Sequence, residues 1–215
     1  MVTGLSPLTS YSFTVKAKDA AGNTSVASNV YTITTAQFTY CTSQGNSVAD
    51  ELIGRVQFGT IDNISTGGTG YTDFTNLSTN VTLGSNQTIT ITPTWTGSTF
   101  SEGYAVFIDY NRDGDFADAG ETVYTRAAST TTPIVGTFTI PLTATTGVTR
   151  MRVSLKYNAI PTACETFSYG QVEDYSVQIL AASNTLNLKA FIEGFYDAST
   201  HQMQPVKFNQ GTSSV

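Results

Sequence analysis

Between Gln87 and Trp95, Thr88, Thr90, Thr92 and Thr94 fall at one parity, while Ile89, Ile91 and Trp95 fall at the other. Extended chain uses that order, because its successive side chains leave on opposite faces, whereas a helix needs apolar residues three and four apart. The same habit recurs in Ile53–Phe58, Ile61–Ser65, Val81–Leu83, Tyr104–Tyr110, Thr122–Arg126, Ile134–Ile140, Thr149–Tyr157 and Val172–Leu180, each read as a strand. Gly, Asn, Asp, Ser or Pro separates many of them, and nothing reads as a long helix. Short strands without helical crossovers predict an all-β chain, folded as an antiparallel β-sandwich of two sheets packed face to face. Trp95 shares the parity of Ile89 and Ile91, so it is expected in the core rather than on a sugar-stacking surface.

Three segments follow from the pattern. Residues 1–35 carry Tyr11, Phe13, Val15 and Ala17 on one face, a turn with Asp19, Gly22 and Asn23, then Val30 and Ile33, which is a β-hairpin with an uncovered apolar face. Residues 39–181 hold the sandwich. Residues 184–215 begin another alternation that closes on nothing, the start of a further β domain. The opening residues read as the middle of a domain, so the chain is expected to be an excerpt of a longer protein whose export signal lies elsewhere.

Charged residues are only 12% of the 215, about half the usual quarter, and Thr, Ser, Asn and Gly fill the surface positions. That composition points outside the cell, to a secreted or cell-surface protein. A net charge of −6 excludes nucleic acid as a partner, since no basic stripe is present to displace phosphate counterions. No apolar run reaches the roughly 18 residues of a membrane span, so no membrane insertion is expected. Cys41 and Cys164 have no metal-site spacing and are read as a disulfide. Neither a Gly-x-Ser-x-Gly nor a His-Glu-x-x-His run occurs, and the single histidine, His201, lies in the tail, so no catalytic residues are assigned.

From Asp109 to Glu121 the chain places five carboxylates against one cation, Arg112. Asp109, Asn111, Asp113 and Asp115 alternate through a turn that contains Gly114, and Glu121 follows. Oxygen donors in that order suit a hard cation, with Ca2+ the natural choice. Flanking strands rather than helices distinguish the loop from an EF-hand, and Asp118 ranks last among its donors. On the closing strand Tyr175, Val177 and Ile179 share a face with Glu173, while Asp174 points the other way, toward Arg150 or Arg152 as a partner on the outer face. Tyr71, Tyr110, Phe116, Phe167 and Tyr169 sit in predicted turns. Of these, Tyr71, Tyr110, Phe116 and Tyr169 are candidate ligand-binding rings.

The central region resembles the GEVED domain family. The motifs are Tyr40-Cys41, Gly70-Tyr71 with Asp73-Phe74-Thr75, Phe107-Ile108-Asp109-Tyr110-Asn111, Asp113-Gly114-Asp115-Phe116, Gly120-Glu121, Thr149 to Val153, Cys164, and Gly170-Gln171-Val172-Glu173-Asp174-Tyr175. Gln171 stands where the family usually has Glu. Gly4 to Tyr11, with the following Ser-Phe-Thr-Val, resembles the end of a fibronectin type III domain, Tyr11 matching its corner tyrosine. The resemblance implies a non-catalytic module of secreted, multi-domain bacterial proteins, with no defined ligand. The expected role is a calcium-stabilised accessory domain for adhesion or for binding polysaccharide, cell-surface glycan or protein substrate, in contact with adjoining domains. The alternative role is a spacer in a secreted enzyme such as a peptidase.

Overall fold

A computed structural model describes residues 5, 9–35, 39–182, 195–197, 199 and 202–204. The described residues are strand, turn and irregular chain with no helix. Among them, therefore, no helix is long and apolar enough to cross a membrane. The chain divides into two units, residues 1–182 and 183–215. In the second unit, β13 (Phe195–Asp197) pairs antiparallel with β14 (Gln202–Gln204). The alternation expected from residue 184 and the position of His201 fall outside the described residues.

In the first unit, β1 (Ser10–Phe13) and β2 (Tyr31–Thr34) form the expected hairpin, with Tyr11 opposite Ile33. Then come β3 (Gln44–Ser47), β4 (Glu51–Phe58), β5 (Ile61–Ile64), β6 (Tyr71–Thr82), β7 (Asn86–Trp95), β8 (Glu102–Ile108), β9 (Thr122–Ser129), β10 (Ile134–Thr139), β11 (Gly147–Tyr157) and β12 (Thr166–Leu180). One sheet has the order β10-β7-β4-β5; the other runs β3-β12-β11-β8-β9, with β6 also on β12. Apolar parity does the joining: Ile53, Val56, Phe58, Ile89 and Ile91 from the first sheet share one buried core with Tyr104, Val106, Ile108, Met151, Val153, Leu155, Tyr175, Val177 and Ile179 from the second.

The sandwich is as expected, but its second sheet is mixed. β12 pairs antiparallel with β11 on one edge. Its other edge is taken by two parallel strands in turn, β3 along Thr166–Tyr169 and β6 along Val172–Leu180. At the handover the Gly70 carbonyl accepts hydrogen bonds from Gly45 N (3.1 Å) and Val172 N (3.0 Å). A Cβ on Gly45 would collide with the Gly170 carbonyl, and one on Gly70 with the Gly45 carbonyl. Gly170, which opens the Gly170–Tyr175 motif, has its own reasons: a φ of 119°, and a Cβ there would collide with the Leu155 carbonyl. Gln171, next to it, accepts from Ile53 N (3.0 Å) at the β4 bulge and donates to Thr69 O (3.4 Å) and Thr72 Oγ1 (3.3 Å). An ionised Glu in this place has no proton for those last two bonds.

All seven residues of β8 are buried, so both of its faces are covered. Its outer face, Ala105 and Phe107, packs on Phe116 from the acidic loop, with Tyr40 and Ala163 from the two segments flanking the disulfide. Loop and disulfide segments therefore form a partial third layer over the second sheet.

Candidate metal centre

Two kinds of carboxylate make up the acidic loop. Asp109 and Glu121 are 0% and 1% exposed and bind backbone. Asp109 Oδ1 accepts from Arg112 N (2.6 Å), while Oδ2 accepts from Gly114 N (3.1 Å) and the Tyr40 hydroxyl (2.7 Å). Glu121 Oε1 accepts from Tyr110 N (2.8 Å) and Asn111 N (3.4 Å), and Oε2 from Asp118 N (3.4 Å). These bonds hold the turn closed, including Arg112 at a φ of 63°. Burial pushes both carboxyls up from their ordinary range, against the downward pull of their hydrogen bonds.

Asp113, Asp115 and Asp118 are exposed, and each offers an oxygen within 4.8 Å of the others'. Asp113 Oδ1 accepts from Asp115 N (3.2 Å) and Asp115 Oδ1 from Ala117 N (2.7 Å), local turns that leave each residue's second oxygen free of the backbone. Asn111 Nδ2 donates to both Asp113 Oδ2 (2.9 Å) and Asp118 Oδ2 (2.7 Å). A neutral amide thus sits where a cation would relieve the repulsion. Of the residues expected to share one focus, the structure brings together Asp113, Asp115 and Asn111, adds Asp118, and gives Asp109 and Glu121 to the loop backbone. Three clustered carboxylates fit a hard cation by donor chemistry; the Asn111 oxygen, expected among the donors, instead accepts from Asp113 N (3.0 Å).

The loop is anchored on a buried ion pair. Arg152, 1% exposed, holds Asp174, 0% exposed, through Nε to Oδ1 and Nη2 to Oδ2, both at 2.8 Å. Its Nη1 donates to Cys41 O (3.0 Å) and Ala163 O (2.7 Å), and its guanidinium lies 5.1 Å from the centre of the Phe116 ring. Arg150 Nη1 (3.3 Å) and the Tyr71 hydroxyl (3.1 Å) complete Asp174 Oδ2. Arg150 also stacks 4.3 Å from the Tyr40 ring centre, and Tyr40 donates to Asp109. Cys41 and Cys164 are bonded, as read from the sequence. The outer-face partnership of Asp174 with these arginines is likewise present.

Expected exposure of the aromatic candidates needs correction. Tyr110 and Phe116 are 6% and 5% exposed, one in the main core and one under the loop, and Phe167 is 5% exposed. Tyr71 is half-buried and bound to Asp174. Tyr169 alone among them is open, at 45%. Trp95 is half-buried at the end of β7, its Nε1 3.4 Å from Glu102 Oε1. Two carboxylates escaped the sequence reading, Glu51 and Glu102, 2% and 0% exposed. Their signal was available: Glu51 shares parity with Ile53, and Glu102 with Tyr104, Val106 and Ile108, the same clue that marked Glu173.

Residues 103–178, which contain the loop, Arg152 and Asp174, match the family model of the GEVED domain. The chain is 32% identical over 178 residues to Chitinase A1 of Niallia circulans, an alignment covering 79% of this chain and 20% of that protein. It therefore spans about a fifth of the length of the curated relative it matches. Similarity to the GEVED domain and to part of a much longer chitinase is what these comparisons add to the geometry.

Proposed function

We propose that this chain is a non-catalytic, calcium-stabilised accessory module of a secreted or cell-surface multidomain protein, where it serves adhesion or holds polysaccharide. The carrying observation is the convergence of Asp113, Asp115 and Asp118 on a loop whose backbone is already fixed by Asp109 and Glu121. In this reading Asp113, Asp115 and Asp118 hold the ion, which takes over the charge relief that the Asn111 NH2 gives Asp113 and Asp118, and Asp109 and Glu121 keep the turn in shape for it. The ion supplies charge neutralisation. The disulfide favours an oxidising compartment, and the similarity to a chitinase favours polysaccharide as the material held. The fibronectin-like hairpin and the tail are read as parts of neighbouring domains.

Extracellular modules bind calcium at roughly 10⁻⁴ to 10⁻³ M. At about 10 mM calcium and a Kd of about 1 mM the stabilisation is about 1.4 kcal/mol, or about 3–5 °C in Tm for a unit of this size. Asp113→Asn with Asp118→Asn removes that gain. Calorimetric titration with no calcium uptake by the wild-type chain refutes the metal assignment. Retention on insoluble chitin and cellulose tests the holding role. Calcium uptake without retention on either identifies a spacer within a secreted enzyme instead.

A further inference from the structure

Glu102 opens β8 and the acidic loop follows its last residue, so the two ends of this strand lie about 20 Å apart. At the Glu102 end, Asp50, Glu51, Phe100, Tyr157 and Tyr169 line a depression of about 230 Å³. A second, of about 220 Å³, shares Tyr157 and Tyr169 and adds Lys156, Phe167 and Ser168. Tyr157 and Tyr169 are 43% and 45% exposed. Tyr157 meets Phe100 and Tyr169 in T-shaped pairs, with ring centres 5.9 and 6.2 Å apart, an arrangement in which each pair covers one ring face rather than the two that stacking would cover.

The carboxylates here are left wanting partners. Glu51 Oε1 and Glu102 Oε2 are buried with no hydrogen bond, although Glu102 Oε1 meets Trp95 Nε1. Burial, then the charges of Glu102 and Asp50, push the Glu51 carboxyl up to about 7. Tyr104, whose hydroxyl is also buried without a partner, faces Glu102 from within β8. Lys156, the cation on the neighbouring depression, is held by Glu165 at 2.8 Å and lies over Phe167, so it does not serve Glu51.

We infer that this end of the sandwich binds an amino-sugar chain, the tyrosine faces receiving pyranose rings and Glu51 with Asp50 receiving a protonated amine. Exposed flat rings suit the apolar faces of sugars. A neutral hydroxyl group would give one carboxylate oxygen a hydrogen bond and leave the like charges of Asp50, Glu51 and Glu102 facing each other, whereas an ammonium answers both needs. The site deepens the polysaccharide reading above and rests on it.

Calorimetric titration of the full chain with β-1,4 tetramers of glucosamine, N-acetylglucosamine and glucose tests the site. The glucosamine tetramer binds most tightly and weakens as salt is raised. Glu51→Gln abolishes its advantage over the acetylated tetramer, and Tyr157→Ala or Tyr169→Ala weakens it by about tenfold, or 1.4 kcal/mol, with Tm within a few degrees of wild type. Equal wild-type affinity for the aminated and acetylated tetramers overturns the inference, as does unimpaired binding by the three variants. If those variants still bind chitin, polysaccharide holding survives and this site falls. If wild type binds no polysaccharide at all, both fall.

Discussion

Glu173 and Asp174 are neighbours on β12, both 0% exposed, and their side chains leave on opposite faces. On the outer face Asp174 meets a forked guanidinium, a second arginine and a hydroxyl. On the inner face Glu173 Oε2 accepts one bond from the Tyr175 hydroxyl (2.6 Å), which in turn accepts from Asn63 Nδ2 (2.9 Å), and among the described residues no cation answers the carboxyl; the Ser65 hydroxyl is its other polar neighbour. Burial pushes the Glu173 carboxyl up to about 7. One face surrounds its carboxylate with cations and a hydroxyl donor; on the other, burial drives the carboxyl toward neutrality. Two adjacent letters of one motif thus have opposite electrostatics, and the layer each faces decides which.

The strongest way to break this contrast is Asp174→Ala. It strands the Arg152 charge beneath the disulfide segments, and loss of one partner of a buried pair costs about 3–5 kcal/mol, about 10 °C in Tm. An unchanged melting curve would show that the pair contributes no cohesion. Glu173→Gln sharpens the contrast from the other side. The folded-state value lies above the unfolded one, so folding holds the proton more tightly. That stability is full below the unfolded range near 4.5 and is lost as pH rises through about 7. Wild-type stability should therefore fall between pH 5 and pH 8, with Glu51 adding in the same direction and window. Glu173→Gln removes about 3 kcal/mol of that fall. A pH profile identical to wild type would mean that Glu173 stays ionised. The smallest effect belongs to Arg55, whose two bonds to Asp62 are short, at 2.6 Å, but stand in solvent. Arg55→Ala should leave Tm unchanged, because water and salt screen such a pair; a clear drop would show that burial is not what separates strong pairs from weak ones here.

Parity made much of this legible. The inner core, the outer-face meeting of Asp174 with the arginines and the inward turn of Glu173 all follow from counting by two. β3 was not legible, since Gln44-Gly-Asn-Ser carries no apolar signal and is a strand only because β12 leaves an edge for it. β6 was read only at its end. Its register breaks opposite Tyr175 and Ser176, where Phe74 and Ser78 are the successive partners, so Phe74 and Leu77 fall out of step. Within the acidic loop, composition located the carboxylates but did not sort them. Which ones turn inward depends on Tyr40 and on free backbone N–H groups, contacts that sequence spacing does not display.

The bond between Cys41 and Cys164, 123 residues apart in sequence, has a mechanical consequence under the proposal that the sandwich is one module of a longer protein. Tension entering near residue 39 and leaving near residue 182 crosses from Cys41 straight to Cys164 and then runs along β12. Everything from residue 42 to 163, including the acidic loop and the whole four-stranded sheet, lies off that covalent path. Pulling on the chain therefore leaves the sandwich slack while its closing strand bears the load.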